Sequence, residues 1–189
     1  RGKSEGKEDL NGTIHQDGLA AVIRYAAALP QVDAKQIGVN TYSYGIVMGS
    51  GTLARYPDLP VKYFVDWEGP AERNDMTADC RGGGGSGSYF RSCADNAWWS
   101  EREAVNFIGK MRVLYQRVQT QTDHAQPDTT HAIKMINAAV RGGVPYVRLN
   151  DNPANQTYDA NNPPAMLSDT TDTQSVAVVI KYALELTKK

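Results

Sequence analysis

The sequence predicts an α/β fold, a mostly parallel sheet with helices on both faces. Three observations lead there. Short β-branched runs alternate with segments of helical periodicity, and such alternation implies parallel strands joined by crossing helices. Proline and paired glycines punctuate the helical segments at Pro30, Pro57 and Gly142–Gly143. The 189 residues, 41% hydrophobic and 22% charged, are enough for one ordinary core, so a single domain over 1–189 is expected.

The elements follow in order. In HQDGLAAVIRYAAALP (15–30), Leu19, Val22, Ile23, Ala26 and Leu29 recur at helical spacing. KQIGVNT (35–41) is short and bounded by polar residues, the pattern of a buried strand. GIVMGSGTLARYP (45–57) reads as a helix despite its glycines, and VKYFVDW (61–67) as a second strand. A helix is expected at 98–111, a strand at 113–122, a helix at 130–143, a fourth strand at 145–150 and a closing amphipathic helix at 175–189. Two segments interrupt this alternation. Residues 68–97 form a Gly/Ser/Asp-rich insertion, and 151–173 an Asn/Pro/Asp/Thr-rich connection. Unstructured stretches of that length inside a compact domain are usually functional or poorly ordered loops. GGGGSGS (82–88) has the composition of a flexible linker, engineered or natural.

The charge balance narrows the function classes. Twenty basic against 21 acidic residues give a formal net charge of −1, which supplies no field for nucleic acid. No apolar run approaches the ~20 residues of a membrane span. Cys80 and Cys93 flank the glycine-rich run, a placement that reads as a disulfide in an exported protein and as two free thiols in a cytosolic one. The first reading is slightly favoured, and with it a secreted or periplasmic location.

The segment VNTYSYGIVMG (39–49) carries the chemistry. A serine between an apolar strand and a helix, with Thr41 and Gly45 two residues either side, has the layout of a nucleophile on a tight strand-to-helix turn. Such a turn lifts Ser43 to the carboxyl end of the sheet, where open α/β folds bind ligands. It also aims the Tyr44 N–H at a developing oxyanion. An ordinary helix N-cap serine is the competing reading of the same five residues.

DGLAAVIRYAAALPQVDAKQIGVNTYSYG, with RGKSEG before it and VLYQRVQTQTDHAQP (113–127) after it, resembles the α/β-hydrolase superfamily, in its dienelactone-hydrolase and acyl-peptidase branch. The resemblance extends over the whole chain and implies a serine hydrolase acting on ester or amide bonds through an acyl-enzyme on Ser43. It implies Asp123 as the acid of the triad, Tyr44 as an oxyanion donor, a small-molecule substrate and no cofactor or metal. It also implies four strands and a second oxyanion donor upstream of RGKSEG. Without them the Ser43 strand is an exposed parallel edge, so a partner is expected: a second copy of this chain or an N-terminal fragment pairing with that edge.

The histidine is the point of departure. The family keeps it after the last strand, where this chain reads NDNPANQTYDANNPP. Of the three histidines, His15 opens the first helix, and His124 adjoins Asp123, an arrangement in which two neighbours rarely aim at one point. His131, eight residues after Asp123, is taken as the base. Asp66 and Glu68, just past the second strand, stand where some members of that family place the acid instead, and Asp151 and Asn152 lie in the loop where the histidine is missing. Oxygen-rich DNPANQTYDANN (151–162) lacks the spacing of a calcium loop. Trp67, Tyr89, Phe90, Trp98 and Trp99 flank or lie within the 68–97 insertion, as the lining of a substrate pocket under a cap or as core. The alternative to an enzyme is a catalytically impaired or truncated hydrolase-fold domain that serves as a binding module.

Overall fold

The computed structural model describes residues 5–81 and 90–189. The GGGGSGS run, Tyr89 and the first four residues of RGKSEG lie outside the described residues. Five strands form one sheet in the order β1 (Gly38–Tyr42), β2 (Tyr63–Trp67), β3 (Leu114–Val118), β4 (Val147–Leu149) and β5 (Asn152–Pro153). The first four are parallel, and the two-residue β5 folds back antiparallel on β4. Helices α1 (Thr13–Ala27), α2 (Gly45–Arg55) and α7 (Thr130–Arg141) belong to one layer, and α8 (Asp172–Thr187) packs on the other face of β2 and β3. The expected fold class is the observed one.

Strand side chains alternate between faces, and β2 shows how that divides the core. Phe64 points to the helical layer, where its ring stacks on Tyr115 at 5.9 Å among Ile46, Leu53, Ile108 and Ile136. Tyr63 and Val65 point the other way, onto Val179, Tyr182 and Leu186 of α8. Each such fully buried apolar side chain contributes about 1.5–3 kcal/mol. The α2 helix lies close on the sheet because Gly49 permits it. A Cβ there would stand 2.7 Å from the Phe64 ring and 2.8 Å from the Thr41 methyl.

Two expected elements differ. The helix expected at 98–111 is two short ones, α5 (Asn96–Ser100) and α6 (Val105–Ile108). Between them Arg102 turns inward, 3% exposed, to donate to the Asp9 carbonyl and carboxylate and to the Trp98 carbonyl. Satisfying a buried guanidinium outweighs one continuous helix there. The third strand stops at Val118 rather than at residue 122. Beyond it, the Asn150 side chain accepts from Gln119 N at 2.9 Å and donates to Gln119 O at 3.0 Å, standing where a strand neighbour would. The chain after residue 118 is thereby free to turn across the end of the sheet. Within the 68–97 insertion, α3 (Arg73–Met76) and α4 (Ala78–Arg81) precede the outside segment, and a Cys80–Cys93 disulfide closes it.

Candidate active site

Three strands end in the same way. β1, β2 and β4 are each followed at once by a left-handed, non-glycine residue: Ser43 (φ 51°), Glu68 (φ 46°) and Asn150 (φ 52°). Such a conformation costs about 1–3 kcal/mol outside glycine and persists only where the surroundings enforce it. Here it turns the chain sharply at the carboxyl edge of the sheet.

Ser43 is held on its turn from both sides. Its N–H donates to the Trp67 carbonyl at 2.9 Å, and its own carbonyl accepts from Ile46 N at 3.1 Å as α2 begins. The next carbonyl, that of Tyr44, accepts from the Asn11 side-chain amide at 2.9 Å, and the Tyr44 hydroxyl donates to Leu10 O at 2.8 Å. The Tyr44 N–H therefore lies at the N-terminal end of α2, where helix N–H groups favour negative charge. Gly45 is not sterically forced, since a Cβ there would meet Thr41 at an ordinary 3.5 Å. Threonine at position 41 is compatible with the turn for the same reason.

The histidine at Ser43 is His124. Its Nε2 lies 2.8 Å from Ser43 Oγ, and its Nδ1 lies 2.9 Å from Glu68 Oε2. Glu68 is fully buried and accepts from three further donors: the His124 N–H at 3.1 Å, the Thr120 N–H at 3.0 Å and the Thr120 hydroxyl. The Trp67 ring packs on the imidazole, centroids 4.6 Å apart, and the His124 side chain remains 31% exposed. Serine, imidazole and carboxylate are thus in line, with both imidazole nitrogens engaged.

Asp123 and His131 form a second pair beside this line. Asp123 Oδ1 accepts from Ala125 N at 2.8 Å and Gln126 N at 2.7 Å, and lies 3.4 Å from His124 Nδ1. Its Oδ2 accepts from Gln119 Nε2 at 3.0 Å and lies 3.2 Å from His131 Nε2. Burial pushes the Asp123 carboxyl up, but the close approach of His131 and the hydrogen bonds from Gln119, Ala125 and Gln126 outweigh it and hold the group well below the usual carboxylate range. His131 is 1% exposed, with Arg117 and the Gly69 carbonyl at its Nδ1. It faces Asp123 rather than Ser43, and the imidazole at Ser43 is that of His124, the residue next to Asp123.

Two adjacent residues rarely aim at one point, and that they do so here has a local reason. Asp123 bends the chain back through its bonds to the two following N–H groups, an Asx-type turn, and Glu68 takes the His124 N–H as well as its ring. Glu68 is an alternative acid by its place beyond the second strand; what the sequence does not show is the turn at Asp-His that brings His124 between Glu68 and Ser43. Of the other candidates, Asp66 is buried against Arg117 and Tyr115, Asp151 pairs with Lys181, and Asn152 pairs with Leu149 in the β4–β5 turn. His15 accepts from Asn11 N at 3.1 Å in the loop before α1. Among the described residues, the set of acid and histidine donors gathered closely enough for a metal is Glu68, Asp123 and His124, within 4.8 Å of one another. Trp99 is core, whereas Phe90 and Trp98 border a cleft of about 400 Å³ with Leu10, Asp9 and Arg102. The Phe90 ring packs edge-on against Tyr44 at 5.6 Å, which joins that cleft to the serine turn.

The chain has the α/β-hydrolase fold, as comparison with solved structures shows. Dipeptidyl peptidase 4 of Porphyromonas gingivalis superposes with a TM-score of 0.62 at 16% identity, over 92% of this chain and 23% of its own. A puromycin-hydrolyzing peptidase of Mycobacterium tuberculosis gives 0.62 at 10% identity, over 94% of this chain and 25% of that one. A lipase/esterase of Lactobacillus plantarum gives 0.54 at 14%, over 90% of this chain and 66% of its own. The chain therefore spans about a quarter of those peptidases, and the likeness is one of fold. No family model and no curated protein matches the sequence.

Proposed function

We propose that this domain is a serine hydrolase that cleaves ester or amide bonds through an acyl-enzyme on Ser43. The observation that carries the reading is the line from Ser43 Oγ through His124 to Glu68, with steps of 2.8 and 2.9 Å. Serine is a weak nucleophile until a base takes its proton, and the base needs an acid to orient it. In this reading His124 Nε2 accepts the Ser43 proton as Oγ bonds to the substrate carbonyl carbon. Glu68 holds the Nδ1–H and stabilises the imidazolium, and the Tyr44 N–H faces the oxyanion. His124 then gives its proton to the leaving alcohol or amine, and the carbonyl reforms as an ester of Ser43. Water, deprotonated by His124, attacks that ester; the acid leaves and Ser43 regains its proton. The order serine, acid, histidine along the chain agrees with the hydrolase fold, although His124 follows the third strand here. The alternative, a catalytically impaired or truncated domain serving as a binding module, rested on the absence of a histidine after the last strand and of the second oxyanion donor; His124 beside Ser43 speaks against the first of these grounds.

Two further readings belong with this one. The disulfide supports export to an oxidising compartment. The outer edge of β1, which pairs only with β2 among the described residues, supports association with a second copy or a separate strand.

Labelling with a fluorophosphonate, which reacts with activated serines, tests the hydrolase reading. The expected adduct maps to Ser43, disappears in Ser43→Ala and falls by at least about 10³-fold in His124→Ala. Unlabelled folded protein, or an adduct at another serine, overturns it.

A further inference from the structure

We infer that His124 is served by two acids, Glu68 and Asp123, and that His131 is the positioning residue that keeps Asp123 in service. The inference rests on the proposed role of His124 and assigns a task to a buried pair that role does not use.

The geometry is asymmetric. The Nδ1 of His124 lies 2.9 Å from Glu68 Oε2 and 3.4 Å from Asp123 Oδ1. One N–H cannot be given fully to both, so Glu68 is the hydrogen-bond acceptor and Asp123 acts as a nearby fixed charge. Removing the Glu68 charge leaves Asp123 as the remaining acceptor on the Nδ1 side of the ring. A serine-triad histidine whose only acid becomes an amide settles into the wrong tautomer, with about a 10⁴-fold loss of turnover. A second carboxylate in reach prevents that.

Asp123 stays ionised and aimed because every oxygen is held. Ala125 N and Gln126 N fix Oδ1, and Gln119 Nε2 and His131 fix Oδ2. The tautomer of His131 follows from what lies behind it. Nδ1 meets two groups, the Arg117 guanidinium with Nη2 at 3.0 Å, which can only donate, and the Gly69 carbonyl at 3.2 Å, which already accepts from Arg117 Nη1 at 2.7 Å; the closer donor makes Nδ1 the acceptor and sets the proton on Nε2, facing Asp123. Its 3.2 Å approach falls outside hydrogen-bond geometry, so His131 acts on Asp123 as a close electrostatic contact. Arg117 is itself anchored by Asp66, the Gly69 carbonyl and Gln119. A buried chain of charge and hydrogen bonds thus runs from the sheet interior to the back of His124.

A double-mutant cycle tests this, read as the rate constant of fluorophosphonate labelling in four proteins of verified fold: the parent, Glu68→Gln, Asp123→Asn and the double variant. Both changes keep shape and remove charge. Glu68→Gln alone is expected to slow labelling by about 10²-fold, less than a single-acid triad would lose. Asp123→Asn alone should cost about tenfold or less, and the double variant about 10⁴-fold or more, beyond the product of the two. His131→Gln should slow labelling in the parent but not in the Asp123→Asn background, a dependence that a merely structural role would not show. Effects that simply multiply, or a His131→Gln loss that persists in Asp123→Asn, overturn the inference.

Should the parent not label at all, the hydrolase reading fails and the two-acid inference is read independently from ¹⁵N shifts of the histidine rings in Ser43→Ala. There the His124 proton should stay on Nδ1 in Glu68→Gln and leave it only when Asp123→Asn is added. Its loss in Glu68→Gln alone refutes the second acid.

Discussion

At Gly45 and Gly49 the packing separates two glycines that look alike in the sequence. Gly45 stands two residues after the serine, the position where the turn pattern asks for a small residue, yet a Cβ there meets only an ordinary contact. Gly49, one turn on, is pressed against Phe64 and Thr41. Gly45→Ala should leave thermal stability unchanged or raise it by less than about 1 kcal/mol through helix preference. Gly49→Ala should lower it by about 1–3 kcal/mol of overpacking, only partly offset by the same preference. Thermal unfolding followed by circular dichroism distinguishes the two. Asp123 supports a second expectation at this scale. Its pKa is depressed in the folded protein, so the stability it confers is fully present above its ordinary value near ~4 and is lost as pH falls through that range toward the folded value. Urea midpoints measured from about pH 6 to 3 should fall on acidification, and more shallowly in Asp123→Asn. An equal slope in both proteins would show that Asp123 does not drive the acid limb.

The insertion between β2 and α5 is the element that the disulfide governs. Cys80 and Cys93 are 13 residues apart, and the segment just before Cys93 carries Phe90 against Tyr44, Trp98 and Trp99. The Cys93 carbonyl accepts from Arg73 at 2.6 Å and the Ser92 carbonyl from the Trp99 indole at 3.0 Å, so the bridge ties this wall to the partly buried Arg73–Glu103 pair. Closing a loop of that size is worth about 3 kcal/mol on the chain-entropy model. Reduction, or Cys80→Ser with Cys93→Ser, should therefore lower the unfolding free energy by up to about that amount. Tryptophan emission should shift red if Trp98 and Trp99 gain solvent. An unchanged unfolding curve would mean that Arg73 and the aromatic contacts suffice to hold the segment.

Across the whole molecule, exposed apolar side chains concentrate on two helices. On α1, Ile14, Val22 and Tyr25 are exposed, and on α8 so are Val176, Ile180 and Leu184. The α8 set occupies the flank opposite Glu185 and Lys181, which reach toward β4 through Arg148 and Asp151, so it faces back toward the edge strand. The inward-facing alternation of β1 buries Val39 and Thr41 but leaves Asn40 and Tyr42 exposed on that same side. Sedimentation velocity should detect concentration-dependent self-association, and Ile180→Lys combined with Leu184→Lys should shift it toward the monomer. A monomer at all concentrations would leave the edge to a different strand.

What the residues determine by themselves at that scale is the succession of elements and the serine turn. Helical and strand periodicities are local, and β1, β2, β4, α1, α2, α7 and α8 lie close to where the patterns put them. The serine turn is equally local, since strand, turn and helix follow within a dozen residues. The triad is not. His124, Glu68 and Ser43 come from three separate strand ends, and their convergence depends on left-handed backbone at residues 43 and 68 and on the turn that Asp123 closes. No spacing along the chain encodes those angles. Asp123 and His131 were legible as a histidine-acid pair but not in their orientation, because Arg117 sits fourteen residues before His131 and faces it only across the folded sheet. The sequence alone therefore determined the α/β class and the position of the serine turn, because both are properties of contiguous chain. Only the tertiary structure decided which imidazole meets Ser43, because that depends on where three loops end in space.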